Sequence, residues 1–223
     1  MKILLTAINS KYIHSNLAVR YLKKFTERLD YECIIREFSI NDRDERILEE
    51  IIKEKPQVVA FSTYIWNIEV VTRLSYLIKA VDESIEILYG GPEVSYDSMN
   101  ILKELPGEYI IEGEGEKTYK EFVEYKLGMK SIEEIRGLYY KKDNEIFING
   151  KRPLMNMDEI VFPYDEDEIE KLYTVPFYIW TNYETEAKTV DITSLNYLST
   201  MTLERANIDL PAYNQFLADM MEV

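Results

Sequence analysis

The sequence predicts a doubly wound α/β domain over residues 1–130. Two observations carry that expectation. Short apolar runs alternate with amphipathic stretches of helical length, as in a parallel sheet crossed by helices. The runs are also almost continuously apolar, as strands covered on both faces must be. KILLTAI (Lys2 to Ile8) is the first strand. A helix follows from about Asn16, with Leu17, Tyr21, Leu22, Phe25 and Leu29 at helical spacing on one face. YECIIREF is the second strand, and Arg43 to Lys53 a charged helix with Ile47, Leu48, Ile51 and Ile52 inward. Pro56 stops that helix before the third strand, VVAFS (Val58 to Ser62). Asn67 to Val81 is the third helix, with Asn67 as its cap. IEILY, ending at Tyr89, is the fourth strand and Tyr109 to Ile111 the fifth. Glu116 to Leu127 is a last helix, closed by Gly128.

Five such strands predict a flavodoxin-like sheet of order 2-1-3-4-5, with right-handed crossovers gathering the strand C-terminal loops on one edge. The pattern then changes. GLYYKKDNEIFING alternates, turns and alternates again, so residues 131–152 are expected to form a β-hairpin extension. Residues 153–173 are acidic and non-periodic, with Pro153 and Pro163, and read as a linker. Residues 174–223 read as a separate tail: the strand VPFYIW and two helices, Ser194 to Ala206 and Pro211 to Met221.

Composition narrows the function classes. The chain has 223 residues, 46% of them hydrophobic, enough for a substantial core. Asp and Glu number 41 against 26 Lys and Arg, a net charge of −15. Such a surface repels phosphate backbones and anionic lipid heads, which argues against nucleic acid and membrane partners. Solubility alone also explains it. Met1-Lys2 leads directly into a strand without a signal-peptide profile, and no apolar run nears the ~20 residues that span a bilayer. The expected compartment is the cytoplasm. The single cysteine, Cys33, lies in a strand and can form neither an internal disulfide nor a thiolate metal site.

Ligands of open α/β sheets bind where strand order reverses, here between the first and third strands. Asn9, Tyr12 and His14 follow the first strand; Ser62, Thr63, Tyr64 and Trp66 follow the third. Gly90, Gly91, Pro92 and Glu93 follow the fourth; Glu112, Gly113, Glu114, Gly115 and Glu116 follow the fifth. Polar and aromatic side chains with interspersed glycines predict a pocket, although GG and GEG also suit tight turns. Trp66 could stack on a ligand or pack on the following helix, and the glutamates could serve chemistry or the helix dipole.

KYIHSNLAVRYL, the serine-to-WN segment, YGGPEVS and YIIEGEGEKT together resemble the N-terminal cobalamin-binding domain of cobalamin-dependent radical-SAM proteins, over about residues 1–172. The resemblance implies cobalamin as cofactor. It makes His14 the candidate lower axial cobalt ligand, and sets Ser62 and Thr63 against the nucleotide tail. Gly90 and Gly91 would let that tail approach the backbone, and Glu112 to Glu116 would line the corrin edge. The family's D-x-H-x-x-G pattern is broken, with Tyr12 and Leu17 where Asp and Gly should stand. The aspartate that would orient a ligating histidine is missing. The alternative is a cobalt without a protein ligand.

Radical-SAM chemistry needs three cysteines in C-x-x-x-C-x-x-C to hold an iron–sulfur cluster. With one cysteine, this chain is expected to hold no such cluster and to have no radical activity alone. Its expected partner is a radical-SAM catalytic domain or subunit. In the tail, PFYIWTNY, TSLNYLS and LPAYNQFLADM are similar to the C-terminal end of lipoteichoic-acid-synthase-like phosphoglycerol transferases and sulfatases. That points to a fusion or a truncated, joined piece, unless the tail is simply two packing helices. The leading expectation is a cobalamin-binding module without its catalytic half. The alternative is an α/β interaction or regulatory domain binding a nucleotide-like ligand or none. A phosphatase-superfamily hydrolase fragment comes third, since the tail supplies neither nucleophile nor metal ligands.

Overall fold

The five apolar runs of residues 1–130 become strands of one sheet. A computed structural model describes residues 1–10, 16–143, 145–159 and 162–164, all in the first of two units, Met1–Glu166. The strands are β1 (Lys2–Asn9), β2 (Glu32–Ser39), β3 (Val58–Ser62), β4 (Glu86–Gly90), β5 (Tyr109–Ile111), β6 (Leu138–Lys142) and β7 (Glu145–Ile148). Their order is β2-β1-β3-β4-β5-β6-β7. The first five are parallel, in the predicted order.

The predicted hairpin is present and extends the sheet, with β6 antiparallel to β5 (Tyr109 opposite Tyr140) and β7 antiparallel to β6. The physical reason is the edge that β5 would otherwise leave: three buried residues with unpaired backbone groups. Stacking of Tyr140 on Phe147, centroids 5.3 Å apart, adds a cross-strand contact.

The helices are α1 (Leu17–Phe25), α2 (Asp44–Lys53), α3 (Ile68–Val81), α4 (Pro92–Ser95), α5 (Ser98–Glu104) and α6 (Glu116–Lys126). Strand alternation sends Leu4, Ile8, Val59, Phe61, Ile87 and Tyr89 to the face covered by α2, α3 and α5. Ile3, Leu5, Ala7, Val58, Ala60 and Leu88 go to the face covered by α1 and α6.

Two expectations need correction. α1 ends at Phe25, where the Thr26 hydroxyl donates to Leu22 O at 2.8 Å and shares a 2.6 Å hydrogen bond with the Tyr31 hydroxyl. Leu29 therefore lies beyond the helix, Val19 is its fully buried residue, and Leu17 is exposed. The segment after β4, read as loop, forms two short helices, α4 and α5, with Val94 and Leu102 buried in the core. Cys33 is partly buried, and burial raises its thiol pKa, as suits an inert side chain.

Thr6 is fully buried, and its hydroxyl has no hydrogen-bond partner among the described residues. Valine has the same shape without the hydroxyl. Thr6→Val is therefore expected to stabilise the domain by about 1 kcal/mol, removing an unpaired polar group. Thermal unfolding should show a rise of roughly 2–4 °C, and an unchanged or lower Tm would show that the hydroxyl is satisfied.

Candidate functional site

Strand parity decides which side chains gather at the crevice. Asn9, Ser62 and Gly90 continue the rows Ile3-Leu5-Ala7, Val58-Ala60 and Leu88, so all three lie on the α1/α6 face at the C-terminal edge. Asn9 and Ser62 are 8% and 7% exposed. The Ser62 hydroxyl makes no hydrogen bond within the described residues. At Gly90, a Cβ would meet nothing within 4 Å. The floor of this groove is thus a nearly buried serine whose hydroxyl reaches the open space where a side chain at Gly90 would stand.

The loops around the groove are laced together. Gly91 has φ 112° and ψ 172°, a conformation reserved for glycine. A Cβ there would lie 2.3 Å from Thr63 O. Thr63 is fully buried and donates twice to Gly90 O, from its backbone N at 2.7 Å and from Oγ1 at 2.5 Å. Its hydroxyl is therefore spent on the β4 turn and does not open onto the groove. Ser95 Oγ donates to Gly91 O at 2.8 Å and accepts from Gly113 N at 3.1 Å, tying the β4 loop to the β5 loop.

Asn67 does not cap α3: no backbone N–H of the first turn donates to its side chain. It is 1% exposed, and its Nδ2 donates to Ile8 O at 2.9 Å and Ser62 O at 3.0 Å. Its Oδ1 accepts from Tyr64 N at 2.8 Å. The amide group is better used joining the ends of β1 and β3, whose buried carbonyls would otherwise lack partners.

Above the groove the rim is aromatic and exposed. Tyr64 and Trp66 stack with ring centroids 4.4 Å apart and planes 8° apart. Trp66 is 46% exposed and neighbouring Ile65 77%, so this pair faces outward and does not pack into the core. Pro92 opens α4 in the first-turn position where its missing N–H costs nothing. Glu93 N donates to Thr63 O at a long 3.5 Å.

The β5–α6 glutamates have local neighbours. Burial raises the Tyr139 hydroxyl pKa, and the nearby Glu112 carboxylate raises it further. Glu114 accepts from Met155 N at 2.7 Å through Oε2. This leaves Gly113, where a Cβ would meet nothing, to face open space. At Gly115 a Cβ would lie 3.3 Å from Leu22 Cδ2, so the start of α6 packs closely on α1. Glu116 sits in the first turn of α6, where the helix dipole favours a carboxylate.

Tyr12 and His14 lie outside the described residues, as does the 174–223 tail. Among the described residues, no cluster of three or more His, Cys, Asp or Glu could hold a metal ion, and no helix is long and apolar enough to cross a membrane. A depression of about 410 Å³ lined by Lys2, Tyr31, Lys55 and Gln57 lies at the opposite, N-terminal edge of the sheet, away from the strand C-termini. Asn67 and Ser95 stand in the loops that the sequence sets along the crevice, but their supporting roles were not read from it. Asn67 carried a signal, a buried-type turn residue beside WN, but one equally suited to a helix cap.

Against this geometry, residues 3–123 match the B12 binding domain family. An uncharacterised methyltransferase of Pyrococcus horikoshii is 34% identical over 104 residues, 44% of this chain and 23% of that protein. The cobalamin-dependent S-adenosylmethionine radical enzyme OxsB, with aqua-cobalamin and S-adenosylmethionine bound, superposes with a TM-score of 0.59 at 15% identity. That match covers 69% of this chain and 22% of OxsB. The radical S-adenosylmethionine methyltransferase TsrM from Kitasatospora setae, with tryptophan and an S-adenosylmethionine analogue, gives 0.58 at 17% identity. It covers 67% of this chain and 30% of TsrM. These structural likenesses are of fold, and the chain spans less than a third of each protein. The similarity of the tail to phosphoglycerol transferases finds no support in these matches.

Proposed function

This chain belongs to the B12-binding domain family, and from that premise we propose that its sheet edge holds cobalamin for a radical-SAM catalytic domain or subunit. The observation that carries the reading is the groove on the α1/α6 face. A Ser62 hydroxyl that reaches solvent, with no hydrogen bond among the described residues, lies beside open space at Gly90, at the end of the sheet where open α/β folds bind ligands. The nucleotide tail of cobalamin has the shape and acceptors for such a slot. When bound, cobalamin supplies a redox-active cobalt suited to one-carbon transfer.

The residues divide the work by position. Asn9, Ser62, Gly90 and Gly113 would flank the tail, and Gly115 fixes how closely α6 approaches α1. Tyr64, Trp66, Pro92 and Glu93 would meet the corrin at the rim, with Thr63 and Gly91 holding the turn beneath them. Glu112, near the Tyr139 hydroxyl, would stand at the corrin edge. Tyr12 and His14 follow β1 in the sequence. Tyr12 stands where the family pattern has the aspartate that would orient a ligating histidine, so His14 would not be held to ligate cobalt. His14→Ala is accordingly expected to leave the corrin bands unchanged, and a shifted spectrum would establish ligation.

Titrating hydroxocobalamin into the purified chain tests the reading itself. The visible bands should shift, and saturation at 100 times Kd should stabilise the fold by about 2.7 kcal/mol. Neither change at high micromolar corrinoid would remove it.

A further inference from the structure

We infer that Asn67 is a positioning residue for cobalamin: its buried carboxamide fixes Ser62 and the Tyr64–Trp66 turn against the end of β1. The inference rests on the cobalamin reading. β1 and β3 pair in parallel as far as Ala7 opposite Ser62. Beyond that rung the chains part, β1 toward α1 on one face and β3 toward α3 on the other. The two N–H groups of Asn67 Nδ2 then meet Ile8 O and Ser62 O at 2.9 and 3.0 Å, supplying a side-chain rung where the backbone ladder stops.

The same side chain sets the loop. Asn67 Oδ1 accepts from Tyr64 N at 2.8 Å, while Asn67 N and Ile68 N both donate to Tyr64 O at 3.0 Å. The turn is thereby closed in both directions, which presents Ile65 and Trp66 outward although Asn67 itself is 1% exposed. One amide thus ties together the groove floor, the aromatic rim and the first strand. Only a side chain with two donors and one acceptor at this length satisfies all three partners. Aspartate has the same shape but no donor, and would set a carboxylate against two carbonyl oxygens.

A structural role alone would lower stability without changing affinity in the folded protein, so stability-matched variants separate the two. Asn67→Asp and Leu74→Ala, the second in the α3 core on the opposite face of the sheet, are compared below their melting transitions. Asn67→Asp is expected to raise the Kd for hydroxocobalamin at least ~10-fold, as loss of a preorganised contact does. Leu74→Ala should leave it within about twofold, since folded fraction is unaffected there. Should Asn67→Asp fail to fold, Asn67→Ser is read the same way. Equal Kd values for the Asn67 variant and wild type, or an equal loss in Leu74→Ala, overturn the inference. A wild-type chain that binds no corrinoid overturns the cobalamin reading and the inference with it.

Discussion

Replacing Gly90 with leucine is expected to abolish high-affinity cobalamin binding while leaving the fold intact. Gly90 ends β4, paired with Ser62 on one side and Ile111 on the other. A Cβ there meets nothing within 4 Å, and its backbone lies outside the positive-φ region. The sheet therefore accepts a side chain, and strand propensity favours one over glycine. The added isobutyl group would fill the groove above Ser62. Gly90→Leu should raise the Kd at least ~100-fold, equivalent to roughly 2.7 kcal/mol, with Tm changed by no more than about 3 °C. Gly90→Ala should lie between. Full affinity in the leucine variant would place the tail elsewhere.

The next residue is expected to behave in the opposite way. Gly91→Ala should cost at least about 3 kcal/mol of stability, because it combines a forbidden backbone conformation with a direct clash. At φ 112° and ψ 172° the backbone is open to glycine alone. Its new Cβ would lie 2.3 Å from Thr63 O and 2.9 Å from Thr63 N, both backbone atoms that cannot swing aside. Relief would require the β4 turn to move, which breaks the paired donations from Thr63 to Gly90 O. Urea unfolding of the variant measures the loss; a midpoint within error of wild type would mean that the turn adapts freely. The adjacent glycines thus differ in what they do: Gly90 leaves open space at the strand end, and Gly91 makes the turn beside it.

Much of this was legible in the sequence, because alternation and burial are local. The near-continuous apolar runs in β1 and β3 fixed both their covered position and the edge on which their loops collect. What was not legible depended on tertiary partners. The GG pair announces a turn, but nothing in two identical letters says that one faces open space and the other a carbonyl. Asn67 looks like a cap because the cap and the β1–β3 clamp need the same amide, and only the neighbouring strand ends decide between them. Nor does the sequence show that Glu114 accepts from the Met155 backbone, or that Glu112 lies near enough to Tyr139 to raise its hydroxyl pKa. Leu17 fits a helical stripe on paper, yet it is exposed; α1 meets the sheet through Val19 and Leu22, and Leu29 packs on the same core from beyond the helix.

The central claim is that the α1/α6 groove floored by Ser62 and Gly90 receives the nucleotide tail of cobalamin. The most direct measurement compares hydroxocobalamin with cobinamide, which has the same corrin but no nucleotide tail, by equilibrium titration of the wild-type chain. The account predicts that cobalamin binds at least ~10-fold more tightly, the tail adding buried contacts that cobinamide cannot make. Equal affinities for the two corrinoids would contradict it.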